Sequence, residues 1–173
     1  YSGTFNKGYD ALSPGDKSLW NSALCSSILS LYLPYMVIVI GSKQGKYLFF
    51  DYPLKESDDQ FVYLARIMIG YFLADLIPCL QHRNGWGKDW PIFAVHHISG
   101  AWYFYNCLQY EICQGGLMSV CLVELSNFFN NNRLFMGKWI LNSGKTVAKD
   151  FPTINIINAI GFTASFFVLR ILG

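Results

Sequence analysis

The run Trp90–Leu108, WPIFAVHHISGAWYFYNCL, is close to the roughly 20 residues that cross a bilayer as a helix, yet it carries two adjacent histidines, His96 and His97. Ionisable groups are costly at membrane depth, so the pair marks either a site or a tightly satisfied polar core. Four more apolar runs flank it: Leu19–Ile40, Phe61–Leu80, Ile112–Phe129 and Phe151–Gly173. Each is long enough for a span, and the strict alternation of barrel strands is absent. The pattern predicts an all-α, polytopic transmembrane helix bundle.

Composition agrees. Hydrophobic residues make up 53% of the chain and charged ones 14%, against about 25% charged in a soluble domain. The net charge of +2 is small and the basic residues do not cluster, which argues against a nucleic-acid partner. The five cysteines show no C-x-x-C spacing and read as small apolar packing residues. The chain starts at Tyr1 without a signal-peptide pattern and stops at Gly173 inside an apolar run, so it is read as one domain, residues 1–173, truncated at both ends.

Asp89-Trp90-Pro91 and Asp150-Phe151-Pro152 share a helix-start pattern of an acidic cap, an aromatic and a first-turn proline. Pro34 and Pro78 are expected to kink their helices or end them early. Leu134–Leu141 could form a short helix at the membrane surface. Eight basic residues fall in loops on the side of Tyr1, against three on the other, which places the Tyr1 side in the cytosol.

Depth then becomes readable. Counting from the segment ends, Asp75, His96, His97, Glu124, Asn158, Ser26 and Ser27 lie roughly 8–12 Å below the cytosolic boundary. Glu124, Asn127 and Asn131 form one helical stripe, and Asn155, Asn158 and Ser165 another. Adjacent helical residues point about 100° apart, so one histidine can line a cavity while the other makes a supporting contact. A lining imidazole could act as general base or nucleophile with Asp75 or Glu124 orienting it; a hydrogen-bonded structural core is the plainer alternative. A metal centre is disfavoured, because two histidines of one turn bind one ion poorly and the third, His82, sits in a loop. No metal and no cofactor is expected.

At GYFLADL (Gly70–Leu76), VHHISG (Val95–Gly100), VELSNFFNNNR (Val123–Arg133) and INAIGFTASFFVLRI (Ile157–Ile171), the chain resembles the TLC-domain family, which includes ceramide synthases and translocon-associated membrane proteins. The wording ELS-x-x-F-x-N is most similar to the TLC domain-containing protein 4 group. The resemblance implies a transmembrane bundle around a lipid-sized cavity. In ceramide synthases the paired histidines are followed by HD-x-x-D-x-x-x-E; the matching positions here are Val123, Glu124, Asn127 and Asn131, so that set is incomplete.

Three functions follow. The first is a non-synthase protein that binds lipid or an acyl chain in the bilayer and acts in lipid homeostasis, through His96, His97, Asp75, Glu124, Asn127, Asn131 and Asn158. The second is a ceramide-synthase-like N-acyltransferase using acyl-CoA, with His96, His97, Glu124 and Asp75 catalytic. The third is a cargo or translocation helper. Sphingolipid chemistry, the endoplasmic reticulum ahead of the plasma membrane, and a homo-oligomer complete the expectations.

Overall fold

The first helix begins where its backbone donors are met. Ser13 Oγ accepts the Asp16 N–H at 3.1 Å, and its hydroxyl donates to the Asp16 carboxylate at 2.9 Å, so the serine caps one backbone donor of the first turn. From there α1 runs Pro14–Gln44. In this computed structural model the described residues are 9–44, 59–112, 114–141 and 147–170. They continue through α2 (Asp59–Gln81), a 3-10 turn at Arg83–Asp89, α3 (Trp90–Tyr110), α4 (Gln114–Val123), α5 (Leu125–Leu141), the short α6 (Val147–Asp150) and α7 (Pro152–Arg170). Among the described residues there is no strand, and the protein is an all-α helical bundle.

Three helices, α1, α2 and α7, are both long and apolar enough to cross a membrane. The fourth apolar run behaves differently from its sequence reading. It is broken at Glu124, and its second half continues as α5 well past Phe129. With ten residues, α4 reaches only about 15 Å, half the hydrocarbon thickness. The break has a local cause: Asn127 N–H bonds the Glu124 carbonyl at 2.8 Å in an i–3 pattern, while Ser126 Oγ takes the Val123 carbonyl at 2.8 Å. Leu134–Leu141 is accordingly the last part of α5 and not a separate surface helix.

Both prolines lie inside their helices. Helix α1 passes Pro34 and continues to Gln44, and α2 ends at Gln81, shortly after Pro78. Asp89 does occupy the cap of α3, but its side chain makes no capping bond. Asp150 belongs to α6, and Phe151 precedes α7.

Helices α2 and α3 are antiparallel, as successive pairs show: Cys79 reaches the Trp90 carbonyl, Asp75 meets His97, and Phe72 meets Phe104. Small residues allow this closeness. A Cβ on Gly100 would stand 2.7 Å from the Phe72 ring. On α1, Ser18, Ser22, Ser26 and Ser30 recur every fourth residue and are all buried. Ser27 and Ser30 hand their hydroxyls back to the carbonyls four residues earlier, at 2.8 and 2.7 Å, so these two pack without stranding a donor.

The bundle is divided along its length. One half is dry: Leu33, Ile40, Leu64, Met68, Phe104, Met118 and Cys121 are essentially sealed from the surface. The other half, at the α1 start, the α2 end and the α3 start, holds Asp75, His97 and Glu124, all buried. The outside is apolar, with Ile28, Ile38, Val95, Ile98, Ile157 and Ile160 exposed, as lipid-facing helices require. Helix α7 packs on α5, where Gly161 lies against Phe129.

Candidate functional site: a polar cavity around Asp75 and His97

The polar half is built on one pair. His97 Nε2 stands 2.7 Å from Asp75 Oδ2, joining α3 to α2. Its Nδ1 stands 2.6 Å from the Phe93 carbonyl, one turn back on α3. The side chains are 5% and 7% exposed, so solvent competes for neither bond. Both contacts need a proton between nitrogen and oxygen, so the two side chains share two protons and the pair is neutral as a whole. A neutral, hydrogen-bonded pair is the form in which ionisable residues persist at membrane depth.

Aromatic rings fix the imidazole. Phe72 meets His97 edge to face at a centroid distance of 5.8 Å, and Trp86 does so at 6.3 Å. Tyr71 on α2 and Ser26 on α1 line the cavity beside Asp75. Trp86 enters from the 3-10 turn and packs on Phe93 at 5.3 Å.

A cavity of about 370 Å³ opens between α1, α2, the 3-10 turn, α3 and α5, within the range of small-ligand sites. Its polar lining includes Asp75, His96, His97, Asn127, Asn130 and Asn131; Leu19, Ile92 and Leu134 add apolar wall. A second cavity, of about 510 Å³, lies toward the α1 start and α2 end, where Lys17, Asn21 and His82 line it. Ser22, Tyr71 and Asp75 border both. Asp75 thus stands at the partition, one oxygen committed to His97.

The structure separates the residues that sequence grouped. His97 is buried with both ring nitrogens engaged, while His96 is exposed, lines the cavity and meets Phe72 at 5.6 Å. Asn127 and Asn131 line the cavity. Glu124 and Asn158 are not among its lining residues. Glu124 is buried, and its Oε2 accepts the amide of the cavity-lining Asn127 at 2.7 Å. Asn158 ties α7 to α5 through the Phe129 carbonyl at 2.9 Å. Ser26 lines the cavity, whereas Ser27 spends its hydroxyl inside α1.

Sequence reasoning missed Tyr71, Phe93, Asn130 and Trp86. Trp86 carried a signal: a lone large aromatic between two glycines in the polar loop RNGWGKD. Among the described residues no group of three histidine, cysteine or acidic side chains gathers as a metal site. Neither a curated protein nor a solved structure matches the chain. The family described as the TLC domain matches over residues 16–173, which takes in every residue of the cavity. This polytopic helical chain, with its acid–histidine pair inside the bundle, therefore belongs to the TLC-domain family of membrane proteins.

Proposed function

We propose that the protein binds an acyl lipid inside the bilayer, in the cavity beside Asp75 and His97, and acts in membrane lipid homeostasis rather than in acyl transfer. One observation carries this reading: both nitrogens of His97 are already bonded, at 2.6 and 2.7 Å, to the Phe93 carbonyl and to Asp75. A ring so committed has no lone pair to take a proton from an amine or to carry an acyl group. It supports a wall; it does not attack. Asn127 and Asn131, where ceramide synthases have acids, likewise offer hydrogen bonds and no charge. The ELS-x-x-F-x-N wording supports a position nearest the TLC domain-containing protein 4 group, in the endoplasmic reticulum membrane.

The alternative is acyl-CoA-dependent N-acylation with His96 as the reactive ring, favoured by its exposure on the cavity. Native mass spectrometry of the purified protein separates the two. A dissociable acyl lipid supports binding. An acyl group covalently attached to His96, with amide formed from acyl-CoA and a sphingoid base, overturns it. No retained lipid and no turnover returns the protein to the class of interaction helpers.

A further inference from the structure

The cavity contains two buried donors that the protein leaves without an acceptor. Trp86 Nε1 and Asn131 Nδ2 find no hydrogen-bond partner among the described residues. Trp86 is 7% exposed, and both residues line the same cavity. Buried polar atoms are nearly always satisfied, so two unsatisfied donors on residues that line one cavity call for a reason.

The chemistry of the pair is one-sided. An indole N–H can only donate, and an amide nitrogen can only donate. Whatever completes them must present an acceptor. Two of the neighbouring polar groups are already engaged: His97 is spent on Asp75 and Phe93, and Glu124 holds Asn127. The surroundings are apolar on one side, with Leu19, Ile92, Phe93 and Leu134. An acceptor carried on an apolar body fits both halves of that description.

The loop is shaped to put the indole there. Gly87, the next residue, has φ 69° and ψ −157°, which side chains with a Cβ rarely adopt. That turn sends the chain back to begin α3 directly after Trp86 has entered the bundle. On the outer side, Arg83 bonds the Leu80 carbonyl at 3.1 Å and lies 4.8 Å over the Trp90 ring, bracing both ends of the turn.

We propose that Trp86 Nε1–H and Asn131 Nδ2–H form a two-point clamp for the linkage carbonyl of an acyl lipid, an ester or amide oxygen, with the chain leaving along the Leu19, Ile92 and Leu134 wall. This deepens the lipid-binding reading and rests on it. The clamp selects acyl lipids over equally apolar molecules that lack a carbonyl.

The test uses the whole chain, purified in detergent, with two labelled probes: methyl palmitate and hexadecane. The wild type should retain the ester about tenfold better than the hydrocarbon, the scale of one or two well-formed hydrogen bonds. Trp86→Phe keeps a ring and removes the donor; Asn131→Leu keeps the volume and removes the other. Loss of about threefold or more of the ester preference in either variant, with hexadecane retention unchanged, supports the clamp. The two residues lie on different elements, so a folding failure of one leaves the other to decide. Equal retention of both probes by the wild type, or an undiminished preference in both variants, overturns the clamp while leaving lipid binding in place. Retention of neither probe overturns lipid binding and the clamp together.

Discussion

Asp75 and His97 sit on neighbouring antiparallel helices and meet at 2.7 Å with both side chains buried. The bond spans the α2–α3 interface at the level where the cavity opens, so it is both a structural tie and the floor of the site.

Removing one partner should cost more than removing both. Asp75→Leu leaves the His97 ring buried with an unmatched nitrogen, and a loss of about 3–5 kcal/mol is expected. Adding His97→Phe should recover much of it. Thermal unfolding of the four species in detergent closes the cycle. Additive losses would show that the pair is not coupled.

Glu124→Gln should be mild and His97→Ala severe. Glutamine retains an oxygen that can accept the Asn127 amide, so about 0.5–1.5 kcal/mol of stability is at stake. Alanine at 97 abandons both Asp75 and the Phe93 carbonyl. Lipid retention measured beside an acyl-CoA assay checks this. A Glu124→Gln protein that loses all turnover from an active wild type would place Glu124 in a catalytic array, where charge on a histidine's orienting acid matters by powers of ten.

Two glycines predict opposite outcomes. Alanine at Gly100 meets the Phe72 ring at 2.7 Å, and that ring is held by Tyr71, His96, His97 and Phe104. Gly100→Ala should destabilise by about 1–3 kcal/mol. A methyl group added at Gly70 would meet nothing within 4 Å, and Gly70→Ala should be neutral or stabilising by about 0.5–1 kcal/mol. Unfolding midpoints of the two variants would expose an error if their order were reversed.

Orientation follows from the loop charges. Lys88 in the 3-10 turn is expected to face the cytosol and Lys43 at the far end of α1 the opposite compartment. Single-cysteine labelling at each position, from one side of sealed vesicles, reads this directly. Labelling of position 43 and not 88 from the cytosolic side inverts the topology.

The sequence was most informative where depth could be counted. Asp75 near the end of one run and His97 near the start of the next were placed at one level, and there they meet. Counting gives height but not azimuth: Glu124 reaches the cavity through its bond to Asn127, and Asn158 turns toward α5. Hydropathy ended the fourth run at Phe129 because Asn130, Asn131 and Asn132 follow; those side chains continue the helix, two of them facing the cavity. Trp86 escaped because a loop residue has no helical register from which its height can be computed.

The break at Glu124 assigns two duties to two pieces of one span. Leu117, Met118 and Cys121 on α4 are locked into the dry core, while Asn127, Asn130, Asn131 and Leu134 on α5 form a side of the cavity. Between them one i–3 backbone bond, from the Asn127 N–H to the Glu124 carbonyl, and the Ser126 hydroxyl on the Val123 carbonyl replace part of the regular ladder. The helical ladder is thus interrupted between the piece that seals the core and the piece that lines the cavity, and the second piece is held by α1 and α7 instead of by its own continuation.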